Sequence, residues 1–424
     1  MSSFRELSVQ LAGHHVGRII RGGGGAWEGS PDADYTFFYN SGTQEKLAVG
    51  ILMPVYKGFY PGDGQLHPVF EMNLPEGRLR EEIWRRFSKT VEEFDDLTML
   101  GIVGSSVIGR LRFSTTGATS GESGSTLCNL QELITYSGSE DLLEDLLQRY
   151  AIHSGIAGEQ PKVLVQDIDK SGLSDAAMCK LTGKDATHII KAWDEKGEYP
   201  QLAANEYFCL QAARRSGLQT PTCDLSQNGR FLVVERFDLD QQTGEYLGFE
   251  DFCSLRGFSS RGKYKGSYEG IARMLEKILT GEALVAAQHD FFKIIVVCTM
   301  VRNGDAHSKN FGILYRNPAI EHRQLAPAFD IVTTKAYPRL RNDTPALTMG
   351  GEKIWPNRKM LLDFALNYCN LSQQKTARIM EQVCEAVHET QAELRHYALN
   401  HPEFQEVGHG MINNWEEGLA SSRV

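Results

Sequence analysis

The chain has 424 residues, 41% hydrophobic and 23% charged, a length that predicts two or three domains rather than a single core. Its 44 Lys and Arg against 54 Asp and Glu leave a net charge of −10, which argues against a generally basic nucleic-acid binder. Eight cysteines without a C-x-x-C pair make a structural zinc site or a disulfide framework unexpected, and read Cys209 and Cys298 as small buried hydrophobes.

No basic start followed by an apolar core opens the chain, and no window is expected to reach the ~20 apolar residues that cross a bilayer. A cytoplasmic protein with no membrane contact is the expectation.

In chain order, residues 4–60 read as β, with Leu7, Val9 and Leu11 alternating, Val16 and Ile19 following a His-His turn, and Tyr35, Phe37 and Tyr39 repeating the period of two. The run Gly22-Gly23-Gly24-Gly25 lacks a trailing Gly-Lys-Ser/Thr and reads as a hairpin loop rather than a phosphate cradle. An amphipathic helix is predicted over 75–94, with Leu79, Ile83, Trp84 and Phe87 on one face. Residues 114–126 hold no large apolar side chain and mark a linker. Helical pattern resumes at Leu127, breaks near Ser137 and restarts through Leu142, Leu143, Leu146 and Leu147.

The stretch from Gly155 to Val165 is a Gly- and Ala-bearing turn feeding a strand. Such a turn suits close approach of backbone to phosphates, although an ordinary hairpin reads the same way. Residues 186–193 form a predicted strand carrying Lys191, which is either edge-exposed or holding an anion, because an unpaired inward Lys is costly. Glu206 follows in a helix over 203–216 that ends at Gly217, in the order of a kinase Lys–Glu ion pair; a solvated helix Glu is the alternative. Residues 230–238 form another strand, placing Glu235 and Phe237 where a kinase hinge meets adenine. Helices are predicted over 271–279, 284–301 and 373–399.

Just after the second of these comes Asn303-Gly304-Asp305-Ala306-His307-Ser308-Lys309-Asn310, with Asp and Asn at the spacing of a kinase catalytic loop. The Asp can accept a proton from an attacking hydroxyl and the Asn oxygen can ligate Mg²⁺; a polar turn is the plainer reading. Asp330 closes a later apolar run, where such folds keep a metal-gripping Asp, and where a helix N-cap would look the same.

Six stretches in this order, Gly158-Glu159-Gln160-Pro161-Lys162, Thr187-His188-Ile189-Ile190-Lys191, Asn205-Glu206-Tyr207, Val234-Glu235-Arg236-Phe237-Asp238, Asn303 to Phe311 and Phe329-Asp330, resemble the HipA family. Its members are serine/threonine-protein kinase toxins of type II toxin–antitoxin systems. The resemblance implies an α+β, two-lobed protein-kinase-like fold, with a β-rich N-lobe and a helical C-lobe preceded by a small α+β N-terminal domain. The corresponding boundaries are 1–113, a linker 114–126, an N-lobe with leading helices 127–245, and a C-lobe 246–424. It implies Asp305 as general base and Asn310 and Asp330 as Mg²⁺ ligands. It also sets Ala157, Gly158, Glu159, Gln160, Lys162 and Lys191 around the ATP phosphates, Glu235, Arg236 and Phe237 at the adenine, and His307 and Phe329 beside the nucleotide. The implied partners are a protein substrate such as an aminoacyl-tRNA synthetase and a helix-turn-helix antitoxin of the HipB type, with DNA reached through that antitoxin.

One departure stands out. Gly155 and Ala157 occupy positions where the family usually carries an autophosphorylated Ser, leaving Ser154 as the nearby hydroxyl. Competing readings are a small-molecule phosphotransferase, and a catalytically dead kinase fold serving as corepressor.

Overall fold

The computed structural model describes residues 4–22, 35–62, 64–91, 93–115, 126–138, 142–169, 173–174, 177–178, 181, 185–193, 197–318 and 323–423. Residues 23–25 of the tetraglycine and most of the expected linker lie outside the described residues. The chain divides into two compact units, Met1–Ala192 with Val233–Ser260 and Ile313–Arg323, and Trp193–Leu232 with Arg261–Gly312 and Gln324–Val424.

The first unit holds an antiparallel sheet of β1 (Glu6–Leu11), β2 (His14–Arg21), β3 (Tyr35–Tyr39), β4 (Phe59–Pro61) and β5 (Leu111–Thr115), in the order β4-β3-β2-β1-β5. Leu7, Val9 and Leu11 are buried, as their period of two predicts. The turn is not at the two histidines: Ala12 and Gly13 make it with positive φ, and His14 and His15 already belong to β2. The expected helix over 75–94 is shorter, Gly77–Phe87, and a separate helix, Asp96–Val103, follows it, its N-terminus capped by Asp95, which accepts the Thr98 amide.

A second sheet runs through β6 (Leu127–Cys128), β7 (Lys162–Asp167), β8 (His188–Ala192) and then Phe231–Glu235. Leu127 is thus in a strand, parallel to β7, rather than in a helix; helices come next at Leu130–Ile134 and Leu143–Tyr150.

The second unit is largely helical: Leu202–Arg215, Tyr268–Ile278, Gly281–Met300, Arg358–Tyr368, Gln373–Asn400 and Gln405–Arg423. Side-chain oxygens of Ser267, Asn357 and Ser372 cap three of these N-termini. Helix Gly281–Met300 is the axis of this unit. Its Phe291 packs against Phe311 and Phe364, each fully buried aromatic contributing on the order of 2–3 kcal/mol. By length and composition that helix could cross a membrane, contrary to expectation, but 67% of the apolar window is buried inside the protein, as in a core helix.

Candidate active site

Helix Gly281–Met300 ends in a loop held from both sides before it reaches Asp305. Arg302 takes a left-handed backbone, and its buried guanidinium donates to the Glu417 carbonyl at 3.2 Å and Ser421 Oγ at 3.1 Å on the C-terminal helix. Thr334 Oγ1 accepts the Gly304 amide at 2.9 Å and donates to the Arg302 carbonyl at 3.3 Å. Asn303 Oδ1 accepts the Asp305 amide at 3.1 Å. The backbone carrying Asp305 is therefore fixed by its neighbours rather than by a regular element.

The Asp305 carboxylate accepts a hydrogen bond from the Tyr264 phenol at 2.8 Å. Its other oxygen lies 4.0 Å from His307 Nε2. Although its side chain keeps 46% of its surface open, the surrounding protein strips enough water to push its pKa up to about 6. The Tyr264 bond and Lys263 oppose that rise, while Asp330 and Asp343 add to it. Burial, and then Lys263, lower the His307 pKa to about 4, so the ring is neutral near pH 7. Its Nδ1 is buried without a hydrogen-bond partner. The Tyr264 ring meets His307 edge-on at 5.1 Å, and the Lys263 carbonyl accepts from both Ser308 Oγ, at 2.8 Å, and the Ser308 amide, at 3.1 Å.

Asn310 and Asp330 are brought together. Asn310 Oδ1 accepts the His307 amide at 3.2 Å and Nδ2 donates to Asp330 Oδ2 at 2.9 Å. Asp330 is left-handed, φ 56°, a conformation that costs an ordinary residue about 1–3 kcal/mol, and the segment that follows it is held in place. That segment is clamped at Thr333. Asn205 Oδ1 accepts the Thr333 amide at 2.8 Å, Asn205 Nδ2 donates to the Thr333 carbonyl at 3.1 Å, and Trp415 Nε1 donates to Thr333 Oγ1 at 2.7 Å. Glu206, next to Asn205, is buried. Phe329 is half-buried. No group of three His, Cys, Asp or Glu side chains among the described residues converges as an all-protein metal cage would need. Mg²⁺ asks for less, commonly one or two protein oxygens with water and phosphates completing the shell. Asp330 and Asn310 present oxygens of that hard type.

The remaining candidates belong to the first unit. Lys162 and Lys191 are both buried and stand directly opposite each other in the β7–β8 pairing. Opposed residues share a face of the sheet, and two like charges there disfavour each other unless an anion lies close. Lys162 Nζ reaches back to the Ala157 carbonyl at 3.4 Å, over Gly158. Gln160 Nε2 is a buried donor without an acceptor, and Glu159 is exposed. Ammonium groups and an orphaned amide donor suit a phosphate-rich ligand.

Arg236 does not offer its side chain to a ligand. The guanidinium is fully buried, pairs with Asp238 at 2.6 Å and donates to the Val107 carbonyl at 2.9 Å, while the Arg236 amide donates to Thr187. Glu235 is half-buried and bonded to Gln241, and the half-buried Phe237 packs against Phe249. Nor is Ser154 presented for modification. It is wholly buried, donating to the Tyr150 carbonyl at 2.7 Å and accepting the Leu164 amide at 2.8 Å. Gly155 lies against Ser106–Ile108, where a Cβ would sit 2.4 Å from Val107 Cγ1, so no serine fits there in this packing.

Tyr264, Asn205's clamp and Trp415 had no local signal in the sequence. Tyr264 precedes Asp305 by 41 positions, and only the fold joins them.

A family model described as the HipA-like C-terminal domain matches residues 154–391, and one described as the HipA N-terminal domain matches 7–114. A protein named putative kinase Y4mE from Sinorhizobium fredii is 32% identical over 197 residues, 44% of this chain and 43% of that protein. Putative kinase Y4dM of the same organism is 28% identical over 221 residues, 48% of this chain and 50% of that protein. The chain thus spans about half the length of the curated relatives it matches. A solved complex described as the Shewanella oneidensis MR-1 toxin–antitoxin system HipA, HipB and operator DNA shares the fold, with a TM-score of 0.68 at 18% identity, over 98% of this chain and 97% of that one.

Proposed function

Because this chain belongs to the HipA family, the C-terminal family domain alone spanning residues 154–391, we propose that it is an ATP- and Mg²⁺-dependent serine/threonine-protein kinase and the toxin of a type II toxin–antitoxin system. The observation that carries the reading is Asn310 bonded to Asp330 at 2.9 Å, five residues beyond an Asp305 whose pKa is pushed up to about 6.

In this reading the acceptor hydroxyl gives its proton to the Asp305 carboxylate as its oxygen attacks the γ-phosphorus and ADP leaves. A base titrating near 6 is ionised at neutral pH yet still basic enough to take the proton. Lys162, Lys191 and Gln160 would face the phosphates, with the turn 157–162 close to them. Glu235 and Phe237 would stand at the adenine. Asp330 and Asn310 would hold Mg²⁺, which when bound neutralises phosphate charge. His307, neutral, lets the loop pack without adding a competing charge beside the base.

The partners proposed with this activity are a protein substrate of the aminoacyl-tRNA synthetase kind and a HipB-type antitoxin through which DNA is reached, all in the cytoplasm. The domain division proposed alongside is 1–113, 114–126, 127–245 and 246–424.

Calorimetric titration with ATP tests the ligand half of the reading. Wild type should bind ATP much more tightly with Mg²⁺ than without. Asp330→Asn, which tolerates the left-handed backbone, should lose that Mg²⁺ dependence while keeping its fold. Equal binding with and without Mg²⁺ in the wild type would count against the metal assignment.

A further inference from the structure

We infer that Tyr264 is a positioning residue for the proposed base, its phenol fixing the Asp305 carboxylate so that one oxygen is held and the other is left for the acceptor hydroxyl; this rests on the kinase reading above. Asp305 sits on a loop with its side chain 46% open to solvent, where a short carboxylate otherwise samples several rotamers. Among the described residues Tyr264 is its one side-chain hydrogen-bond donor, at 2.8 Å, since His307 Nε2 at 4.0 Å is out of reach.

Tyr264 is itself anchored. The preceding Lys263 carbonyl takes two hydrogen bonds from Ser308, and the Tyr264 ring rests edge-on against His307. The dipeptide 263–264 therefore grips the loop at three places: the base, the histidine two residues on, and the serine after it. This is the arrangement in which a base is oriented by a third group. The phenol is 47% exposed as a residue, so its hydroxyl can be removed without opening a core cavity.

A donor on the carboxylate favours its ionised form, so losing the phenol raises the Asp305 pKa. The other groups acting on Asp305 are Asp330, Asp343 and Lys263, with neutral His307 alongside; none is altered by the substitution.

The test compares full-length wild type, Tyr264→Phe and Asp305→Asn, with Mg·ATP and with myelin basic protein as acceptor probe, following phosphoprotein and ADP together. Tyr264→Phe keeps the ring on His307 and should leave the thermal midpoint and the KM for Mg·ATP unchanged. Its kcat should fall about tenfold, part of the 10²–10⁴ that a placed base supplies, and the ascending limb of its pH–rate profile should move to higher pH. A kcat and limb equal to wild type would overturn the inference. So would a faster variant, which would make the phenol an obstruction. Asp305→Asn turning over at the wild-type rate, or a wild type without turnover, would instead remove the kinase reading, and the inference with it.

Discussion

Asn205→Ala strikes the side chain that bonds the Thr333 backbone from helix Leu202–Arg215, where Cys209 Sγ also meets Thr333 Oγ1 at 3.5 Å. Asn205 is wholly buried, so no water replaces what is lost. The substitution strands the Thr333 amide, bonded at 2.8 Å in the wild type, while the Thr333 carbonyl loses the Asn205 donor at 3.1 Å but keeps the Ala336 amide at 3.3 Å. Leaving a buried polar group unpaired costs about 1–3 kcal/mol, so the stranded amide predicts a loss of about 1–3 kcal/mol, before any cavity term. Trp415 still holds the Thr333 hydroxyl, so the damage should be local rather than global. Hydrogen exchange at the Thr333 amide should accelerate by about one to two orders of magnitude, on the order of the same free energy. Mg·ATP affinity should fall in parallel, because the left-handed Asp330 loses its brace. Protection at Thr333 within threefold of wild type, with unchanged Mg·ATP affinity, would refute the claim that Asn205 braces the segment following Asp330.

Ser154→Ala should destabilise the first unit by about 1–3 kcal/mol through the stranded Leu164 amide, read by urea denaturation. The peptide spanning 150–162 should be unphosphorylated by mass spectrometry in the active wild-type protein; a phosphate on Ser154 would show that the buried hydroxyl is released in use. Asp238→Asn should cost about 3–5 kcal/mol, since it leaves the buried Arg236 guanidinium without its counter-charge. Burial works to raise the Asp238 pKa, but Arg236 and the Gly109 amide outweigh it and hold it below the usual carboxylate range. Its contribution is therefore present above the unfolded value of about 3.9 and is lost as pH falls through the folded one. Denaturation measured between pH 3 and 7 should show an acid-side loss in the wild type that is diminished in Asp238→Asn.

What the sequence made legible was local. Asp305 and Asn310 stand five residues apart in one loop, and Lys191 sits in a strand whose period is plain, so spacing alone nominated them. Pairings made across the fold were not legible. That Lys162 faces Lys191 comes from the register of β7 on β8, and that Tyr264 meets Asp305 comes from packing. Arg236 reads as a ligand residue in its motif but is consumed by Asp238, two positions on. The C-terminal helix Gln405–Arg423 was hidden by Gly408, Gly410 and Gly418, which weaken helical propensity. The packing explains the last of these: a Cβ at Gly418 would lie 2.1 Å from the Met300 carbonyl, so the glycine lets this helix approach the base of the loop that carries Asp305. Gly155 likewise breaks the expected serine pattern because Val107 Cγ1, 2.4 Å from where a Cβ would sit, and the Ser106 carbonyl occupy the space.

The most direct test of the proposed kinase activity is to express wild type and Asp305→Asn separately in bacteria without a partner and compare growth and the phosphoproteome. We predict growth arrest with the wild type alone, accompanied by a new phosphoserine or phosphothreonine on a protein of the translation machinery. Equal growth and identical phosphosites for the two proteins would contradict it.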